Sequence, residues 1–405
     1  MNYRYKTYKR PTGVSVKSVQ ISPFKMTKLS CSPVFVLLCL SCVVQWTFAN
    51  DIAMKLLGRT LEWTLQPNIV VSPKLLIDGL FQLFLGAAGH TQEELGVLLF
   101  ENTTENELDQ FVPLNNTDES ESAKLYKANT LFAADSIKIL DEYQAALRQI
   151  FNSEVQSVDF KNPETVHNIN RWVAEKTNDK IQSFLSGVDV NTQLLLISAI
   201  YFKGFWRHPF NPSLTKQKPF YTPSSEVLVD TMVNDGYYNY KYVEILDADA
   251  LEIPYMNSKI SMLILLPRTP NGFEGIQNKL HKVTLKDISP TESRAFHVEL
   301  PKFNLDFQTS FTNIFKSVGI VDIFQNSANF SSISQTPIMV SEIFQKATIE
   351  VRENGTEASA SQGTILVPIS AIVPVIYTDF LINRPFIFLI KDNTNAYFAG
   401  RVVIL

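Results

Sequence analysis

The chain is poor in the residues from which reactive and metal-bound sites are usually made. Its 405 residues include three cysteines and five histidines. Cys31, Cys39 and Cys42 all fall in an N-terminal leader, so the sequence after it contains none. That excludes thiol catalysis and cysteine–zinc sites in the mature chain. It also leaves a large apolar core, without disulfides, to hold the fold. His90, His167, His208, His281 and His297 are scattered and read as structural or exposed. No metal and no cofactor is expected. The chain has no Gly-x-Ser-x-Gly elbow, no His-Glu-x-x-His helix and no phosphate-binding glycine loop, so it is not read as an enzyme. Excess positive charge is missing as well. The net charge of -4 offers no field for nucleic acid, and no heparin site is evident. The polar stretch from Glu101 to Glu121, read as a helix plus surface loop, carries no Lys or Arg.

What is present begins with the leader. From Pro33 the run PVFVLLCLSCVVQWTFA is apolar, and Lys25 and Lys28 precede it. Thr47 and Ala49 are the small residues of a cleavage site before Asn50, the layout of a secretory signal peptide. A membrane anchor is the competing reading, but the run is short for a span and contains Ser41 and Gln45. Residues 1–49 are therefore assigned as leader, with Met26 as a possible start, and 50–405 as one mature domain, secreted and monomeric. No membrane partner is expected once the signal is removed. Sequons at Asn102, Asn115, Asn329 and Asn354 fit a secreted glycoprotein.

Apolar residues make up 45% of the chain, and no repeat or low-complexity linker divides the mature part. The spacing of Ile52, Leu56, Leu57, Leu61 and Leu65 predicts a helix over 51–65. Ser72-Pro73 starts a second helix, ended by Ala87 to Gly89. Thr91-Gln-Glu-Glu is read as the capping box of a third, and Pro163 to Phe184 as a fourth that turns Val166, Ile169, Trp172 and Val173 inward. Strands follow. Gln193 to Phe202 is an almost unbroken apolar run that suits a strand buried on both faces. Ile260 to Leu266, Phe296 to Leu300, Ala347 to Val351, Phe386 to Ile390 and Ala396 to Val403 read as further strands. The class is α+β.

Several segments in order resemble the serpin family over nearly the whole mature chain. They include Asn68-Ile-Val-Val-Ser-Pro, Ile169-Asn-Arg-Trp-Val, Ala199-Ile-Tyr-Phe-Lys-Gly-Phe-Trp, Leu251-Glu-Ile-Pro-Tyr, Leu300-Pro-Lys-Phe and Asn383-Arg-Pro-Phe-Ile-Phe. The most specific is Val351-Arg-Glu-Asn-Gly-Thr-Glu-Ala-Ser-Ala-Ser, which resembles the family's hinge. The resemblance implies three β-sheets, about nine helices and an exposed reactive loop over 353–380. In inhibitory members a serine protease attacks that loop through its own triad. The cut loop then enters the main sheet as an extra strand and carries the covalently bound protease with it. A non-inhibitory serpin, acting as carrier, chaperone or binding protein, is the alternative.

The hinge residues are Glu353, Gly355, Thr356, Glu357, Ala358, Ser359 and Ala360. On a strand Thr356, Ala358 and Ala360 share one face and are small enough to enter a core. Counting from Glu353 along the family's spacing places the scissile bond at Ile369–Ser370, with Ile372 as the fallback. The choice is apolar either way, and no Lys or Arg occurs between Glu353 and Arg384, so an elastase-like or chymotrypsin-like target is expected. The resemblance also assigns a sheet-opening region to Trp206, Lys302, Ser72, Ser198 and Gln345, with Lys302–Glu353 as a latch. Departures are concentrated there: Ser198 stands where the family has Asn, Gln345 where it has His, and Leu75 where it has Ser. Ser198 and Gln345 are expected to bond each other. Gln362 falls on the inward face of the inserting strand, where a buried amide without partners costs roughly 1–3 kcal/mol. A glycan on Asn354 would stand where insertion begins.

Overall fold

The computed structural model describes residues 49–100, 122–356 and 375–405. Among these residues there are eight α-helices. They are α1 (Ala49–Trp63), α2 (Pro73–Gly86), α3 (Gly89–Leu99), α4 (Asp141–Phe151), α5 (Glu164–Lys176), α6 (Phe273–Lys279), α7 (Leu285–Ile288) and α8 (Thr312–Ser317). Fourteen strands form two hydrogen-bonded sheets. The leader as far as Phe48, the stretch from Glu101 to Glu121, Asn102, Asn115, the hinge beyond Thr356 and the bonds at Ile369, Ser370 and Ile372 lie outside the described residues.

One sheet has five strands in the order β10 (Phe303–Ser310), β11 (Val340–Val351), β4 (Leu194–Gly204), β2 (Ala123–Ala134) and β3 (Gln156–Val158). Its central strands β4 and β11 run parallel, while β10 and β2 flank them antiparallel. The apolar run of β4 is buried at every position except Lys203, because both faces are covered. On one side α5 lays Ile169 and Val173 against Ala128, Phe132, Leu195, Ile197 and Ala199. On the other, Leu196, Ile200 and Phe202 join the main core.

The second sheet runs β1 (Ile69–Val71), β14 (Ala396–Val402), β13 (Phe386–Lys391), β8 (Ser261–Pro267), β7 (Ala248–Pro254), β6 (Glu226–Val243), β9 (Glu292–Pro301) and β12 (Thr378–Leu381). The ninth strand, β5 (Lys216–Tyr221), pairs with β6. The resemblance implied three sheets, but no third, separate sheet stands among the described residues. At 18 residues, β6 is long enough to pair with β5, β7 and β9, which merges these strands into one network.

Ser72 caps α2 as the sequence predicts, with its hydroxyl accepting from the Leu75 N–H at 3.3 Å and Pro73 in the first turn. The capping box at Thr91 is a correction. Helix α3 starts at Gly89 without a side-chain cap, because the Thr91 hydroxyl is drawn to Asp322 and accepts from the Asn329 N–H. The helix predicted to Phe184 also stops early, at Lys176. There the Thr177 hydroxyl donates to Val173 O at 2.7 Å, and Asn178 and Asp179 turn left-handed.

Arg401 on β14 ties the end of α1 to the sheet. Its guanidinium donates to the carbonyls of Leu61, Thr64, Gln66 and Pro67 and to the Gln277 amide oxygen, at 2.6 to 3.2 Å. Burial lowers its affinity for the proton, so the carbonyl fan is what keeps the charge tolerable. An ammonium cannot span that fan. Arg401→Lys is expected to cost about 2–4 kcal/mol, from several buried carbonyls left unpaired; denaturant unfolding would measure it.

Candidate functional site: an open notch between two parallel strands

The pairing of β4 with β11 stops short. It runs from Leu194 opposite Val340 to Tyr201 opposite Thr348. Beyond it Phe202–Gly204 and Ile349–Val351 continue as strands, each still paired on its outer side, to β2 and to β10. Between them the sheet has a notch. Because its two walls are parallel, a strand lying in it runs antiparallel to both.

The chain leaving β11 turns back into this notch. Arg352 and Gly355 exchange backbone hydrogen bonds at 2.7 and 3.0 Å around a two-residue turn of Glu353 and Asn354. Gly355 then bridges antiparallel to Phe205 on the other wall: Trp206 N–H donates to Asn354 O at 3.0 Å, and Thr356 N–H to Gly204 O at 2.6 Å. The Thr356 hydroxyl donates to the same carbonyl at 3.1 Å, and Thr356 is fully buried. Gly355 is obligatory here. It has φ +140°, and a Cβ on it would stand 1.8 Å from Gly204 O.

An aromatic wall supports the turn. Trp206 is completely buried, stacked on Tyr255 at 4.5 Å and edge-on to Phe210 at 6.1 Å. Its indole N–H donates to Arg352 O at 2.9 Å, and Phe210 N–H to Glu353 O at 2.9 Å. The Glu353 carboxylate accepts from Lys302 Nζ at 3.2 Å and from the Thr215 hydroxyl at 2.9 Å. Burial alone would push Glu353 up, but its own backbone N–H, Thr215 and Lys302 together hold it below the ordinary carboxylate range. Asn354 is half-buried in the turn, whereas the sequon at Asn329 is exposed.

Below the notch the core-facing side of the sheet carries a polar row at one level. Asn129 lies opposite Ser198, Ser198 opposite Gln345, and Gln345 opposite Thr309. The Gln345 amide donates to Ser198 Oγ at 3.2 Å and to Ser72 O at 3.0 Å, and its oxygen accepts from Ser72 N–H at 2.6 Å. Gln345 therefore joins β4 and β11 to the start of α2. Leu75, which replaces a serine of the family pattern, is buried and its carbonyl accepts from Asn129 at 3.1 Å. The remaining Asn129 oxygen is buried without a partner. The structure thus brings Trp206, Lys302, Glu353, Gly355 and Thr356 together at the notch, and Ser72, Ser198 and Gln345 beneath it. Sequence reasoning missed Thr215, Tyr255, Phe210 and Asn129; only the return of the chain from β11 brings the first three to the turn.

Comparison with known proteins agrees with this geometry. Residues 47–405 match the family described as serpin (serine protease inhibitor). Iripin-5 of Ixodes ricinus is 34% identical over 368 residues, covering 87% of this chain and 93% of the relative. Antichymotrypsin-2 of Bombyx mori is 30% identical, covering 82% and 91%. Among solved structures, Serpin48 of Tenebrio molitor, described as a highly specific serpin, superposes with a TM-score of 0.76 at 27% identity, over 88% of this chain and 97% of that one. Uncleaved ovalbumin shares the fold with a TM-score of 0.74 at 24% identity, over 88% of this chain and all of that one.

Two outcomes are expected at the notch. Gly355→Ala forces the turn out of it, costing about 1–3 kcal/mol of backbone strain; hydrogen exchange at the Thr356 amide should accelerate relative to that of buried β13. The depressed carboxyl of Glu353 adds stability above the ordinary carboxylate range, lost as pH falls through its folded value. Wild type should therefore lose stability faster than Glu353→Gln as a thermal-melt series is taken from pH 6 to pH 3. The chain belongs to the serpin family.

Proposed function

We propose that this chain is a secreted inhibitor of serine endopeptidases that inserts its own loop into the five-stranded sheet. Inhibition of serine proteases, rather than catalysis, is the activity of the family. The observation that carries the proposal is the notch, whose open end already holds Gly355 and Thr356 antiparallel to both walls. Insertion extends a pairing that exists.

The chemistry belongs to the protease. Its serine attacks the carbonyl of the residue before the scissile bond, an ester forms, and the new amino terminus departs. Ile369–Ser370 is the proposed bond, with Ile372 as fallback. The hinge from Glu353 to Ala360 then leads the loop between β4 and β11, opposed by the Lys302–Glu353 pair, the Trp206 wall and the Gln345–Ser198 bond. The absence of Lys and Arg between Glu353 and Arg384 supports an apolar target preference. So does the name of the related antichymotrypsin. The leader supports secretion into the extracellular space as a monomer without cofactor. Among the described residues no helix is long and apolar enough to cross a membrane.

A non-inhibitory role is the second reading, favoured by the Asn354 sequon, because that residue sits half-buried in the turn where insertion starts. One experiment separates the two. Mixed with an elastase-like or chymotrypsin-like protease, an inhibitor gives an SDS-resistant complex, and its cleaved form melts well above the intact one. Cleavage as a simple substrate, with an unchanged melting point, would overturn inhibition; mass spectrometry of the released peptide locates the bond.

A further inference from the structure

Two sequons lie within the described residues, Asn329-Phe330-Ser331 and Asn354-Gly355-Thr356, and the fold treats them in opposite ways. Asn329 and Ser331 are exposed while Phe330 between them is buried, so both side chains that define the first sequon face water. The backbone of Asn329 is held at both of its polar groups. Its N–H donates to the Thr91 hydroxyl at 2.8 Å, and its carbonyl accepts from the Ala88 N–H at 2.9 Å. Thr91 lies in the first turn of α3 and Ala88 just before it. The sequon is thus fixed against the corner between α2 and α3, with its side chains turned outward.

The partner of the carboxamide fixes its orientation. Asn329 Oδ1 accepts from the Ser331 N–H at 3.2 Å, the local turn that asparagine side chains favour. A backbone N–H is met by the oxygen of a carboxamide and never by its NH2, so Nδ2 is the atom left for other partners. Gly89 lies beside it. This residue opens α3 with φ +55°, and a Cβ built on it would stand 3.7 Å from Asn329 Nδ2, an ordinary contact distance. The absent side chain leaves room next to the nitrogen that a sugar would use.

The Asn354 sequon is taken up by the turn at the notch. Asn354 is half-buried and its carbonyl accepts from the Trp206 N–H, while the Thr356 hydroxyl is fully buried and donates to Gly204 O at 3.1 Å. Between them Gly355 lies so close to Gly204 that even a Cβ has no space. An oligosaccharide is bulky, hydrated and confined to surfaces. Here the acceptor hydroxyl can be reached only if the turn leaves the notch.

We propose that Asn329 is an N-glycan attachment site and that the folded turn closes the sequon at Asn354. The proposal rests on the secretion reading given above, because sequons are modified in the secretory pathway. The sugar donor is an oligosaccharide carried on a lipid pyrophosphate. Asn329 Nδ2 forms a bond to C1 of the first sugar and gives up a proton; the C1–O bond to the pyrophosphate breaks, and the lipid pyrophosphate departs. No oxidant or reductant takes part. A bare Asn354 leaves the start of the insertion path unobstructed, which removes the observation that favours a non-inhibitory role.

The test is site-resolved mass spectrometry of protein made in a eukaryotic secretory host, as the full chain and with its leader exchanged for an unrelated secretion signal. Peptides spanning Asn329 and Asn354 are read before and after enzymatic release of N-glycans, which converts a modified Asn to Asp. Asn329 should be modified and Asn354 bare. Ser331→Ala, an exposed change that keeps Asn329 itself, should lose the glycan at Asn329 and no other. Secreted protein with Asn329 bare overturns the attachment site and leaves secretion standing. A glycan on Asn354 overturns the closure of that sequon. Retention of the full chain in the cell, with Asn329 modified behind the unrelated signal, overturns secretion by the chain's own leader and supports the site.

Discussion

The notch between β4 and β11 is the constraint on which the rest of the molecule depends. Two parallel strands hydrogen-bond from Leu194 to Tyr201 and from Val340 to Thr348 and then stop pairing, although both continue. A sheet that ends its central pairing early leaves backbone donors and acceptors on both inner edges, and buried backbone groups demand partners. At the open end the chain's own return supplies some of them, through Arg352, Gly204 and Trp206. That requirement accounts for Gly355, whose Cβ would strike Gly204 O, and for the aromatic wall of Trp206, Tyr255 and Phe210 behind the turn.

The same constraint explains where the polar groups are. A buried polar row is costly unless every member is bonded, and Gln345 solves most of that problem with one side chain: three hydrogen bonds to Ser72 and Ser198. Replacing the Asn and His of the family pattern by Ser and Gln keeps a hydrogen-bonded bridge across the two strands. The bridge is reached by different atoms. Charge is placed at the rim instead, where Lys302 and Glu353 are partly solvated and their pairing is correspondingly modest. Core strength comes from the buried strands β4, β13 and β14, and from Arg401 binding the end of α1.

Much of this was legible residue by residue. The long apolar runs became buried strands because they carry few polar residues and those few, such as Ser198, are hydrogen-bonded, and Ser72-Pro73 announced its helix because a capping hydroxyl and a fixed φ act locally. Where one local signal failed, a competing hydrogen bond had outbid it. Thr91 gave up its helix cap for Asp322, and Thr177 closed a helix that apolar spacing alone would have prolonged. Within the site, Gly355 was legible as the residue that the turn requires, because only glycine tolerates its φ of +140° beside Gly204 O. Thr215 and Asn129 carried no such signal, since a hydroxyl and an amide on unrelated strands acquire meaning only through what they face.

The sequence by itself determined the family, the confinement of its three cysteines to Cys31, Cys39 and Cys42, the lack of a basic residue between Glu353 and Arg384, and the alternation that puts Thr356, Ala358, Ala360 and Gln362 at every second position. Those are properties of composition, order and the two-residue period of a strand. Only the tertiary structure decided that β4 and β11 part above Tyr201, that Gly355 bridges to Phe205, and that Ser198 stands directly opposite Gln345. Register between strands more than a hundred residues apart is set by packing and hydrogen bonding across the sheet, and no local pattern encodes it.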